Sequence, residues 1–176
     1  EEMLFVDIET MGLFHGNMIF LIGAGFQDDK GLHIEQFFAS SGGEEKAILS
    51  AFNGKAAGMK CYVSFCGAHF DIPFIRQRSA YYGIRMPPDH FHFDLYRFAN
   101  RLWRGILPDC RLETIGTMAL GERRSSVDIP SSLVPHHYQM FLRTGNASHI
   151  RPVLEHNRMD IAVMFRLYNK LAEIFV

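Results

Sequence analysis

The sequence predicts one α/β domain on a mixed sheet. Two patterns carry this reading: three strand-like runs follow one another in quick succession, and strand-like and helix-like segments alternate after them. A third observation agrees. The 176 residues show no repeat, low-complexity tract or linker, so residues 1–176 read as a single domain.

MLFVDIET is the first strand, with Leu4, Phe5, Val6 and Ile8 bound for a core. The turn MGLFHGN leads into NMIFLIGAGF, and QDDKG leads into LHIEQFFA, which together read as an antiparallel meander. SSGGEEKAILSAFNGKA reads as a capped helix with acidic residues in its first turn. KCYVSFCGA is a buried strand. It runs into HFDIPFIRQRSAYYG, a helix with Pro73 in its first turn and Gly83 at its stop. FHFDLYRFANRLWRG is a short strand and an amphipathic helix, and LETIGTMALG is another short helix. Residues 121–136 form a polar, proline-containing connection before a short helix in HYQMFLRTG. From about Pro152 a long helix follows, with Val153, Ile161, Met164, Tyr168 and Leu171 near one face.

The composition, 48% hydrophobic and 21% charged, is that of a soluble globular protein rather than a disordered one. A net charge of −1 excludes a global polyanion-binding signature, so any nucleic-acid contact has to come from a local patch. Cys61, Cys66 and Cys110 form an odd set without CxxC spacing. That argues for a reduced, cytoplasmic setting and against a structural zinc site. No apolar run approaches the roughly 20 residues that cross a bilayer, and no signal peptide opens the chain. The first residue is Glu rather than Met, which leaves open a fragment of a longer chain with a further domain.

Asp7 and Glu9 interrupt the first strand one residue apart, so they share a face. Two like charges at the end of a buried strand repel, and a divalent cation between them relieves the repulsion. A salt bridge or a cap is the alternative. Asp71, in FCGAHFDIPFI, reads locally as an N-cap or Asx-turn residue before Pro73. Asp160, in EHNRMDIAVM, follows His156 by four residues on one helical face. Such a pair alone reads as a surface hydrogen bond.

Together the acids form a pattern. DIET, FDIPF and HNRMD, in that order, resemble the DEDD superfamily of 3′–5′ exonucleases, which has a ribonuclease-H-like fold. LYRFANRLWRGILPDCRLETI and VDIPSSLVPHHY are similar to its YprB-type subgroup of predicted exonucleases, so the resemblance covers nearly the whole chain. It implies a ribonuclease-H-like mixed sheet of about five strands, one antiparallel. It also implies that Asp7, Glu9, Asp71 and Asp160 hold two Mg²⁺ or Mn²⁺ ions. Such a pair, about 3.5–4 Å apart, hydrolyses phosphodiester bonds of DNA or RNA and releases nucleoside 5′-monophosphates. The implied partner is a nucleic acid entering by a single-stranded 3′ end.

In that superfamily a Tyr or a His precedes the last Asp, the His one position further back. Here His156 occupies the Tyr-like spacing. A helix brings both spacings to one face, so His156 reads as the general base, with a structural histidine as the alternative. Cys66 stands where relatives commonly carry Asn. The resemblance further places Thr10, Met11, Gly12 and Leu13 against the terminal nucleotide, through backbone groups and an apolar wedge.

Arg97, Arg101 and Arg104 recur at helical spacing and are followed by Arg111, Arg123 and Arg124. They form a solvated face or a local phosphate track. His90, His92 and Asp94 alternate as a metal constellation would, although nothing completes it, and Asp94 reads better as a cap of the next helix. IGAGFQDD resembles a dinucleotide loop, with Asp28 where its third Gly belongs. Phe65 and Phe70 read as core. Two alternatives to the exonuclease stay open: an endonuclease of the same fold, and a catalytically silent nucleic-acid-binding module of a larger protein.

Overall fold

The computed structural model describes residues 2–87, 91–123 and 129–175. Strands β1 (Met3–Thr10), β2 (Ile19–Asp28), β3 (Gly31–Phe38), β4 (Cys61–Ser64) and β5 (Phe91–Asp94) form one sheet in the order β3-β2-β1-β4-β5. The first three strands are the expected meander, antiparallel at both joints, with Asp7 opposite Gly23. β4 pairs parallel to β1, and β5 parallel to β4. Among the described residues β2 is therefore the one strand running against the rest, as the sequence predicts.

Alternation along β1 decides which layer each residue meets. Leu4, Val6 and Ile8 enter a core with α1 (Glu45–Ala56) and α2 (Asp71–Tyr81), which includes Leu49, Phe52, Phe74 and Ile75. Phe5 points the other way, into a core with Ile161, Met164 and Leu167 of α6 (Arg151–Phe175). Asp7 and Glu9 continue the Phe5 side of β1. α3 (Leu95–Trp103) and α4 (Leu112–Met118) extend the α6 layer, and α5 (Val134–Thr144) stacks Tyr138 flat on Phe20 of β2.

α6 lies close to the sheet because β2 carries glycine beneath it. A Cβ on Gly25 would come within 2.5 Å of Ile161 Cγ2, and one on Gly23 would collide with the Asn157 side chain. The IGAG run is thus a docking groove for a helix rather than a dinucleotide loop.

Other local expectations are corrected. α1 has no side-chain cap; Glu44, at its N-cap position, turns its carboxylate back to accept from Ser40 N at 2.7 Å. α5 begins at Val134, inside the stretch read as a connection, with Pro135 supplying a pre-set φ at its start. β4 ends at Ser64, well short of the expected strand, because Cys66 turns the chain with φ +63°. Val153 joins the α1–α2 core instead of the Phe5 side. His90 and Arg124 lie outside the described residues.

Gly25→Ala is expected to cost about 1–3 kcal/mol through overpacking. Urea unfolding of Gly25→Ala, Ile161→Ala and the double variant checks the cause. The double variant should be more stable than the two single losses added together, since the new methyl then fills the vacated space.

Candidate active site

Asp7, Glu9, Asp71, His156 and Asp160 line one cavity of about 530 Å³, together with Thr10, Gly12 and Leu13. It opens where β1 and β4 end and where strand order branches, with β2 on one side of β1 and β4 on the other. Open α/β sheets place ligands at such a point.

Each acid arrives by a different local route. Asp7 and Glu9 come from the centre of the sheet. Asp71 is the first residue of α2, with Phe70 at the N-cap position and no side-chain cap. The Asp71 carboxylate instead accepts from the backbone N–H of Ile8 at 3.1 Å, so the local N-cap reading gives way to a long-range tie. Gly67 permits this approach, since a Cβ there would lie 2.7 Å from Asp71 Oδ2. His156 is buried; its Nε2 is 3.7 Å from Asp160 Oδ2 and 3.2 Å from Ser131 Oγ. The pair is not a surface hydrogen bond.

Asn157, between them in sequence, is fully buried and sequence reasoning gives it no role. Its amide donates to Asp7 Oδ2 at 2.7 Å and to Asp7 O at 3.2 Å, and accepts from Gln36 Nε2 at 2.9 Å. It rests over Gly23, the residue opposite Asp7.

The electrostatics follow from crowding acids in a desolvated place. Burial, then Glu9, Asp160 and Asp71, push the Asp7 carboxyl well above the usual range, against the Asn157 hydrogen bond. Burial, then Asp160 and Asp71, do the same to Glu9. Asp71 is pushed up to about 7, mainly by burial and opposed by the Ile8 N–H. Among the described residues no three His, Cys, Asp or Glu side chains stand grouped as a ready metal cage. The carboxylates share the cavity and press on one another's ionisation without already meeting around one point.

The loop between β1 and β2 forms the outer wall. Thr10 Oγ donates to Gly12 O at 2.7 Å, Met11 packs into the core, and Leu13 and Phe14 are more than 80% exposed at the tip. A buried ion pair fixes this loop. Glu45 accepts from Ile19 N at 2.9 Å and from Arg78 Nε at 2.8 Å, while Arg78 Nη1 donates to Gly16 O at 3.2 Å. Glu45 is an acid of the first turn of α1, and it is 1% exposed.

Of the other candidates, Arg97, Arg101 and Arg104 are exposed on and beyond α3 and line neither this cavity nor its neighbour. Arg111 does line the neighbouring one. His92 is engaged by Ser64 Oγ at 2.7 Å. Asp94 caps α3 through Tyr96 N at 3.1 Å and also accepts from Cys66 N at 2.9 Å, so it braces the β4 exit loop. Phe65 and Phe70 are half-buried and face the cavity as well as the core. Cys66 is exposed in a left-handed conformation, where Asn is the better-suited residue.

A mixed five-stranded sheet with helices on both faces and acids at the exit of its central strand defines a ribonuclease-H-like fold. The chain belongs to the RNase_H superfamily, whose model matches residues 4–172. It is 32% identical over 170 residues to the uncharacterized protein YprB of Bacillus subtilis (strain 168). The match covers 94% of this chain and 41% of YprB, so the chain spans less than half the length of that relative. The family B DNA polymerase of the hyperthermophilic archaeon Pyrobaculum calidifontis superposes with a TM-score of 0.70 at 18% identity, over 97% of this chain and 24% of that one. That likeness is one of fold. No described helix is long and apolar enough to cross a membrane.

The raised Asp71 carboxyl sets a pH dependence. Its pKa of about 7 in the folded protein exceeds the roughly 3.9 of an unfolded Asp. The folded state therefore binds the proton more tightly, and this stabilisation is complete below about pH 4 and lost as pH rises through about 7. With chelator present, the urea midpoint should fall between pH 5 and pH 8, and Asp71→Asn should show a smaller fall.

Proposed function

We propose that this chain is a metal-dependent 3′–5′ exonuclease of the DEDD type, hydrolysing phosphodiester bonds of DNA or RNA to nucleoside 5′-monophosphates. The observation that carries the reading is the meeting of Asp7, Glu9, Asp71 and Asp160 with His156 in one cavity, from β1, α2 and α6. Residues 1–176 are proposed as the exonuclease domain of a longer protein.

The donor set suits Mg²⁺ or Mn²⁺. All four side chains offer hard carboxylate oxygens, and their mutual repulsion is what a cation would offset. Asp7, Glu9, Asp71 and Asp160 would hold the ions, which when bound supply Lewis-acid stabilisation of the phosphate charge and a more acidic water. The protein's own groups do the rest. Asn157 and the Ile8 N–H hold Asp7 and Asp71 in place. His156 Nε2 takes the proton of the water that attacks the last phosphorus; the P–O3′ bond breaks, and O3′ leaves as the new 3′-hydroxyl of the shortened strand, protonated from solvent. Thr10, Gly12 and Leu13 wall the terminal nucleotide. The exposed Arg97, Arg101 and Arg104 attract the strand from outside the cavity.

With Mn²⁺, a 5′-labelled single strand should shorten stepwise from its 3′ end while a circle stays intact. Cutting of the circle would instead support the endonuclease. Asp71→Asn should abolish turnover and weaken manganese uptake in calorimetry, and His156→Gln should lower kcat about a hundredfold, within the usual range for a general base. Tight DNA binding with no turnover under any divalent ion would support the binding module.

A further inference from the structure

The sheet has two outer strands, β3 and β5, and they differ in how well they are closed. β5 is four residues long and offers little edge. β3 is eight residues long, pairs with β2 over its whole length without a register shift, and contains neither proline nor lysine. Soluble proteins blunt their edge strands by brevity, bulges, proline or lysine, and β3 has none of these. We propose that β3 is a dimerisation edge, along which a second copy of this chain lays its own β3, antiparallel, about a twofold axis at Ile34. This is independent of the chemistry at the acids.

The ladder shows which groups the edge offers. Ala39 N donates to Phe20 O at 2.8 Å, which sets the parity of the β2–β3 pair. Gly31, His33, Glu35 and Phe37 therefore turn their N–H and C=O groups inward to β2. Those of Leu32, Ile34, Gln36 and Phe38 point away from the sheet, and among the described residues no backbone hydrogen bond reaches them. Both faces of β3 are already covered. Phe37 meets Phe52 of α1 with ring centroids 6.3 Å apart, Ile34 packs against the core containing Ile161 and Met164, and Gln36 Nε2 donates to Leu154 O at 2.8 Å. What stays open is a row of main-chain donors and acceptors between two packed layers, and an added strand satisfies it.

The side chains select the occupant and the register. Two copies of β3 exchange main-chain bonds only where edge-facing residues meet, so Ile34 falls opposite Gln36, Leu32 or Ile34 of the second copy. Against Gln36, Glu35 lands on Glu35 of the second copy, and like charges directly opposite are destabilising. Against Leu32, His33 lands on His33 of the second copy and Glu35 on Gly31. Against Ile34, each His33 faces Glu35 of the second copy, twice over. His33 Nε2 is held by Asp28 Oδ1 at 2.7 Å, which leaves Nδ1 to donate to that carboxylate. Glu35 is exposed and paired on one side with Lys55 at 3.0 Å. His33, Ile34 and Glu35 thus form a self-complementary unit, basic and acidic about an apolar centre, which is what a twofold contact requires. The axis stands perpendicular to the sheet, so both α6 layers lie on one side of a continuous sheet and the two acid-lined cavities open at opposite ends.

Sedimentation equilibrium tests this. The 20.2 kDa chain should approach twice that mass at micromolar concentration. Glu35→Lys and His33→Glu should each raise the dissociation constant about tenfold or more, because each replaces a complementary cross-strand pair by a like one, twice. An equimolar mixture of the two variants should form a heterodimer as tight as the wild-type dimer, since the introduced lysine then faces the introduced glutamate. A wild type that stays monomeric up to millimolar concentration overturns the proposal, as does a dimer that neither substitution weakens. A mixture that fails to restore association overturns the register and the proposal with it. Should one variant fail to fold by circular dichroism, the mass of the wild type and the dissociation constant of the other variant decide.

Discussion

The contact between Asn157 and Asp7 fixes the geometry on which the site depends. One amide from α6 reaches both the carboxylate and the carbonyl of Asp7, and takes a hydrogen bond from Gln36 of β3. It can do so because Gly23, opposite Asp7, leaves the space its side chain fills. The helix is thereby held in one register on the sheet. Since Asn157 adjoins His156 and lies one turn before Asp160, that register also sets where those two groups face. A polar group buried this deeply is costly unless satisfied, so its hydrogen bonds specify the docking more sharply than apolar contacts would.

The register gathers charges that resist being gathered. Asp7, Glu9 and Asp71 all have their ionisation suppressed, first by burial and then, for Asp7, by Glu9, Asp160 and Asp71 and, for Glu9, by Asp160 and Asp71. The strain is tolerated because apolar packing surrounds it on both sides: Leu4, Val6 and Ile8 beneath, and Phe5 with Phe165 and Tyr168 on the α6 side. Stability held in the core is set against an unfavourable site, the usual arrangement where a fold keeps a reactive centre.

Much of this was legible in the sequence, and what was not has a common cause. The strands, the meander and the long last helix followed from alternation and turn chemistry, which are local, whereas the single reversed strand was implied by the resemblance. Asp7 and Glu9 stood out because carboxylates are anomalous in an apolar strand, whereas Asp71 and Asp160 read locally as a cap and a surface pair until the resemblance joined them to the first two. Asn157, Gln36 and the Glu45–Arg78 pair were not legible, since each is an ordinary polar residue whose partner is remote in sequence. The Arg97, Arg101 and Arg104 stripe shows the converse: helical spacing is visible, but whether the stripe lines the cavity depends on how α3 packs. The glycines of IGAG suggested a phosphate loop because glycine reports close approach without saying of what.

The Glu45–Arg78 pair shows what such invisible contacts do. A buried ion pair adds little net stability, since desolvating two charges offsets most of their attraction. Its value lies in what it orders. Glu45 holds the start of β2 at Ile19, and Arg78 holds Gly16 in the loop before it, so the wall carrying Thr10 to Leu13 is braced from α1 and α2 together. α2 also begins at Asp71, two turns from Arg78. One rigid helix therefore sets both an acid in the cavity and the loop that bounds it. The base of that loop is thus tied to α1 and α2 through groups of a desolvated pair, while its tip at Leu13 and Phe14 stays exposed.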